Sequence, residues 1–294
     1  MSIPANSVRI ALAVVGLAGV AGAAPSPTAE QIIAKARSYL GSEAALTAVN
    51  SVRFVGTMES EEASPQGPRK VSSPIEIIFQ KPYRQRILLT TANAIQTTGL
   101  DDYDGWQRVQ ERSPAGRWRL ALLQPEMIKK LRANTWENLS FYQGIEKRGG
   151  SVQVVGPATV DGVATVKVIF VHEPGITFTR YFDADTGRMI LTETDRGDRI
   201  REEDDIMVEG VRFPRKVTSV STTTDAAGKP VESRTVIIFD RVTVNETFPD
   251  SDFEMPMTPP APAPEPAVET PSVVPPPAGT PPAAPAATPP AVSP

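Results

Sequence analysis

The chain has no cysteine and a single histidine, His172. The first absence excludes thiol catalysis, disulfide staples, iron–sulfur clusters, cysteine-ligated zinc and an acyl anchor on an N-terminal cysteine. The second excludes a histidine-rich metal site and makes any serine–histidine–acid triad depend on one residue. A basic excess is missing too: 30 lysines and arginines stand against 34 acids, a net charge of -4. Nucleic acid is therefore not an expected partner, because a phosphate-tracking surface needs surplus cations. There is no Gly-x-Ser-x-Gly elbow, P-loop or dinucleotide fingerprint. No apolar run beyond the N-terminal one approaches the roughly 20 residues of a membrane-spanning helix. These gaps lead us to expect a protein with no catalytic residue, no metal and no cofactor, one that does not span the membrane.

The two ends are distinctive in composition. Arg9 precedes the apolar run Ile10–Val20, and Ala21 and Ala23 supply small residues before Ala24-Pro25. A basic lead, an apolar core and small residues at -3 and -1 predict a signal peptide over residues 1–23 and a periplasmic location. From Met257 the chain is almost entirely Pro, Ala, Thr, Val and Glu, and roughly half of its 30 prolines lie there. Proline removes an amide donor and fixes φ, so residues 257–294 are predicted to be a disordered or extended tail.

Residues 24–256 remain, enough for one large domain. Thr28-Ala-Glu-Gln31 has the capping-box form, followed by Ile32, Ile33, Ala36, Tyr39 and Leu40 at helical spacing, with Gly41 to end the helix. A second short helix is read from Glu43 to Val49. Beyond it the period becomes two: Val52, Phe54, Gly56 and Met58 alternate with more polar neighbours, as do Ile75, Ile77 and Phe79. Strand-like runs recur to residue 244, separated by Asp104-Gly105, Asp161-Gly162, Asp185-Thr-Gly187 and Glu209-Gly210. One helix interrupts them, with Pro125 at its start and Met127, Ile128, Leu131 and Trp136 as its apolar face. The predicted class is mainly β (α+β): a single strongly curved antiparallel sheet forming an unclosed half-barrel, with a few helices in the concave face. A long antiparallel sheet must curl to hide its apolar side. With short helices over it, an apolar cleft is left, and such a cleft is a ligand site by default.

On that architecture Phe54, Met58, Ile77, Phe79, Trp106, Trp118, Met127, Leu131 and Trp136 are the predicted cavity-lining residues. The acidic clusters read as structure. Asp101-Asp102-Tyr-Asp104-Gly105 and Asp183-Ala-Asp185-Thr-Gly187 lack the later ligands of a calcium loop and carry the residues that hairpin turns demand. Glu202-Glu-Asp-Asp205 reads as a solvated edge. His172, after Val168–Val171, reads as a strand-end residue in a turn.

Several ordered segments resemble the LolA/LolB-like family of outer-membrane lipoprotein-sorting proteins of the bacterial envelope. They are Ala29–Lys35 through Gly41, Val52–Gly56, Ile78-Phe-Gln-Lys-Pro-Tyr-Arg-Gln-Arg86, Tyr103-Asp-Gly-Trp106, Tyr181–Gly187, Val208–Pro214 and Val242–Pro249 with Phe253–Pro256. The resemblance implies an unclosed antiparallel barrel with a helical lid, acting as a monomeric, non-catalytic binding or carrier protein for lipids or lipoprotein acyl chains. It also implies that the basic residue before the strand-ending proline, here Lys81, helps to gate the lid. Lysine lacks the planar fork of arginine, so a bidentate latch is not available at that position. The alternative is an envelope stress sensor or scaffold that uses the same fold for a protein partner, with the proline-rich tail as spacer.

Overall fold

The computed structural model describes residues 27–62, 69–113, 116–173, 175–224 and 228–257. The signal peptide expected over 1–23 lies outside the described residues, as does the proline-rich tail apart from Met257. Three α-helices, α1 (Ala29–Leu40), α2 (Glu43–Ala48) and α3 (Pro125–Ser140), accompany thirteen strands. The first six strands are β1 (Ser51–Glu62), β2 (Arg69–Gln80), β3 (Arg84–Thr90), β4 (Ala94–Asp101), β5 (Asp104–Glu111) and β6 (Trp118–Leu122). After α3 come β7 (Ser151–Val160), β8 (Val163–Glu173), β9 (Ile176–Asp183), β10 (Met189–Thr194), β11 (Arg199–Val208), β12 (Val211–Thr224) and β13 (Pro230–Val244).

Local chemistry sets the helix ends. The Thr28 hydroxyl accepts from the Gln31 amide while the Gln31 side chain accepts from the Thr28 amide, so two otherwise orphaned donors are satisfied. Gly41 stops α1 where a side chain cannot fit: a Cβ there would stand 2.5 Å from the Gly210 carbonyl oxygen, because Gly41 bridges to Val211. Pro125 opens α3 at a position where its missing amide costs nothing. The helix ends abruptly, with Phe141 and Tyr142 at φ of 49° and 71°. Left-handed backbone is uncommon for bulky residues and costs roughly 1–3 kcal/mol where it occurs. Arg37 of α1 holds this turn: its Nη1 donates to the Ser140 and Phe141 carbonyls at 2.9 and 3.0 Å.

All strands join one antiparallel sheet in the order β6-β5-β4-β3-β2-β1-β13-β12-β11-β10-β9-β8-β7. Two meanders thus meet at the β1–β13 pairing, and the strands at the two ends, β6 and β7, do not pair with each other. The sheet is mostly β structure left unclosed, an open half-barrel. Among the described residues no helix is long and apolar enough to cross a membrane.

The period-two alternation splits the sheet into two unequal faces. Val52, Phe54, Phe79, Phe213, Phe239 and Val242 point to the helices and form a buried cluster with Leu46 of α2 and Leu139 of α3. On the other limb, Val168, Phe170, Phe182 and Met189 pack with Ile32 and Ala36 of α1 and with Trp136. The outer face is mostly charged. Arg53 and Arg86 both reach Glu76, and Arg84 pairs with Asp101 and Asp250.

Trp106 belongs to that outer face and not to the cleft. Its ring lies on Gly99, where a Cβ would come within 2.2 Å of it, and its indole N–H donates to the Phe253 carbonyl at 2.8 Å. The chain after β13 folds back over this spot, so both sides of the sheet are covered there. The acidic run is an edge on one side only. Glu202–Asp205 sits in the interior strand β11, where it pairs with β12 but lies beyond the two residues, Arg199 and Ile200, that pair with β10; Asp204 and Asp205 are exposed.

Candidate functional site

Between α3 and the sheet lies a cavity of about 250 Å³. This is slightly below the ~300 Å³ at which small-molecule sites usually begin. One end is apolar: Phe54, Ile77 and Phe79 from β1 and β2, and Phe213, Val217, Ile237 and Phe239 from β12 and β13. The rings meet at angles. Phe54 is edge-on to Phe79 and Phe213, with centroids 6.2 and 5.8 Å away, and tilted against Phe239 at 4.8 Å. Edge-to-face pairs of this kind are a favoured arrangement of aromatic rings, so this wall is well packed.

The other end is polar. Arg180, Arg188, Thr192, Glu202 and Asp205 from β9 to β11 line it, with Tyr39 and Arg212 at its border. The lid contributes Asn134, Glu137 and Asn138. At its centre is a buried charge cluster. Glu137 is 5% exposed, Arg180 8% and His172 6%. Glu137 Oε1 shares a hydrogen bond of 2.7 Å with His172 Nε2, and its Oε2 lies 3.0 Å from an Arg180 guanidinium nitrogen. Burial pushes the Glu137 carboxyl up, but Arg180, His172 and Arg148 outweigh it and hold the group below its ordinary value. Burial pushes the neighbouring Tyr142 phenol beyond its usual range. Among the described residues two polar atoms of the cluster, His172 Nδ1 and Arg180 Nε, have no hydrogen-bond partner. Buried polar atoms are usually satisfied, so this end is arranged for something other than packing.

Glu202 behaves in the opposite way. Burial pushes its carboxyl up, Asp205 and Glu137 add to the effect, and Arg180 and Arg188 only partly oppose it. For an acid raised on folding, the folded state holds the proton more tightly, so stability falls as pH rises from the unfolded value through the folded one. Glu202→Gln is therefore expected to raise the urea midpoint at pH 7 and to flatten its decline as pH rises above the ordinary carboxyl value of 4.5. An unchanged midpoint and slope would mean that Glu202 is solvated.

The structure distributes the residues predicted to line the cleft unevenly. Phe54, Ile77 and Phe79 border the cavity together. Met58 is half-buried further along β1, opposite Ile237 and Ser73. Trp118 lies on the end strand β6 and Met127 in the first turn of α3, each 37% exposed. Leu131 is half-buried on α3, and Trp136 packs edge-on to His172 in the second core cluster, outside the cavity wall. The correction has one cause for the helix residues. Of the apolar stripe of α3 only Trp136 is buried, in the core beside the cavity, while Asn134, Glu137 and Asn138 line the hollow. Lys81 stands in the β2–β3 turn, where burial pushes its ammonium down. Among the described residues no hydrogen bond or ion pair joins its side chain to α3; cations that do reach the lid are Arg37, at the Ser140 and Phe141 carbonyls, and Arg180, at Glu137. His172 is a buried strand residue bonded to the lid and not a turn residue, and Glu202 is part of the wall. The Asp183 turn is as expected: its carboxylate accepts from the Asp185 and Thr186 amides, both at 2.8 Å.

An open antiparallel half-barrel with a helix-roofed hollow is the class of protein that this geometry defines. No protein-family model and no curated protein sequence matches the chain. Its structural neighbours include a DUF1329 family protein from Desulfovibrio piger, at 12% identity and TM-score 0.46, covering 76% of this chain and 96% of that one. They also include a putative outer membrane lipoprotein-sorting protein domain from Vibrio parahaemolyticus, at 10% identity and TM-score 0.46, covering 77% and 97%. A LolA superfamily protein from Nitrosomonas europaea, at 12% identity and TM-score 0.45, covers 78% and 99%.

Proposed function

We propose that this chain is a non-catalytic binding or carrier protein for lipids or lipoprotein acyl chains, acting in the periplasm. The observation that carries this reading is the hollow under α3, walled at one end by Phe54, Phe79, Phe213 and Phe239 and unfilled by side chains. Burying a methylene there is worth about 0.8 kcal/mol, so a chain of several carbons gains enough to be held. At about 250 Å³ the hollow suits one acyl chain at a time. The signal-peptide pattern of residues 1–23 supports the location.

Filling the hollow tests the reading. Val217 is half-buried on its wall, and Val217→Trp puts an indole into the empty space. A fluorescent fatty acid is expected to bind the unaltered full chain and to lose at least about tenfold in affinity in the variant, roughly 1.4 kcal/mol. Far-ultraviolet circular dichroism should remain the same. If the unaltered chain takes up no probe, or the variant binds as well, the acyl chain does not lie in this cavity.

A further inference from the structure

The polar end of the hollow says which amphiphile it takes, on the premise that the apolar end holds an acyl tail. Three arginines line the cavity. Arg180 is committed, ion-paired to Glu137 and donating to the Thr192 hydroxyl at 3.3 Å. Arg188 and Arg212 are not. Arg188 donates to a backbone oxygen, the Glu202 carbonyl, at a long 3.4 Å. Arg212 lies over the Tyr39 ring, 5.3 Å from its centroid. Among the described residues neither has a carboxylate within ion-pairing distance.

The acids of the wall are meanwhile engaged or disfavoured as anions. Glu137 is held between His172 and Arg180, and Asp205 accepts the Tyr39 hydroxyl. Glu202 is half-buried, and burial disfavours its ionised form. The hollow thus offers two guanidinium groups with free donor capacity among its lining residues, Arg188 half-buried and Arg212 exposed. A guanidinium presents a planar fork of N–H donors that matches the two oxygens of a carboxylate or phosphate. Next to an apolar wall such a pairing is screened less than in open water.

We infer that the occupant is a single-chain amphiphile with an anionic head, a carboxylate or a phosphate monoester, which Arg188 and Arg212 receive while the tail lies along Phe54, Phe79 and Phe239. A head-group series at constant tail length tests this on the full chain without altering it. Dodecanoic acid, dodecyl phosphate, dodecanol and dodecyltrimethylammonium would each displace a fluorescent fatty acid, all below their micelle concentrations. The two anions are expected to bind at least about tenfold more tightly than dodecanol, with the cation weakest. In the double variant R188Q/R212Q that advantage should shrink to about twofold or less, with dodecanol affinity unchanged. Whichever anion leads identifies a carboxylate or a phosphate as the preferred head. Equal binding of dodecanol and the anions overturns the head-group inference and leaves tail binding standing. A preference that survives the double variant also overturns it, since the head would then sit elsewhere. Failure of all four to bind removes both readings.

Discussion

Arg180→Ala is expected to lower stability by about 3–5 kcal/mol, because it strands the buried Glu137 without its main counter-charge. The cost comes from breaking the pair and not from the pair's own worth. Glu137 and Arg180 are each less than a tenth exposed, and their attraction has to offset the desolvation of both. The double variant Glu137→Gln/Arg180→Met removes both charges and should recover most of the loss. Urea unfolding of the three proteins checks this, and a double variant less stable than Arg180→Ala would show that the pair itself holds the lid. The pH dependence has a defined sign. Glu137 is held below its ordinary value of 4.5 in the folded state. Its contribution is therefore complete above that value and is lost as pH falls through the depressed one. The unaltered chain should lose stability on acidification below about pH 4.5 in a way that the double variant does not.

Phe54→Ala is the second large effect. Phe54 is 4% exposed and touches three other rings as well as the hollow. Truncating a buried phenylalanine costs about 3–5 kcal/mol, with the upper part of that range reached when the surroundings cannot collapse. Here the residue borders a space that is already open, so the removed volume adds to an existing cavity. A ligand should then return part of the loss. At a free concentration one hundred times its dissociation constant, a ligand that binds only the folded state adds about 2.7 kcal/mol. Thermal unfolding of Phe54→Ala with and without dodecanoic acid is the measurement. A variant whose stability falls by less than 1 kcal/mol, or that gains nothing from the fatty acid, would place the acyl site elsewhere.

The features readable from the sequence are those set by neighbours in the chain. The Thr28–Gln31 capping box, Pro125 at the start of α3 and the Asp183 turn are local hydrogen-bonding devices, and the structure contains each. The strand order follows from turns too short for anything but a meander. What the sequence hid depends on partners far along the chain. His172 and Glu137 are 35 residues apart, and no local pattern pairs them. Trp106 looks like a cleft residue until Phe253, 147 residues on, is seen to cover it on the other face. The polar residues of α3 are readable as letters, but of the apolar stripe Met127, Ile128, Leu131, Trp136 only Trp136 is buried, and it lies in the core beside the hollow. Asn134, Glu137 and Asn138 violate the rule that polar groups face water, and such violations concentrate where a protein does something besides fold.

The sequence runs from β6 through α3 to β7, which stand at opposite ends of the sheet. The roof is therefore anchored like a basket handle, at both rims. It has no loose tip to swing, and lifting it would drag the two margins of the sheet with it. On the proposed carrier reading an occupant would enter beside the handle instead, where Asp205 and Arg212 are the exposed members of the wall. A passenger arriving that way would enter tail first and leave its head at the doorway.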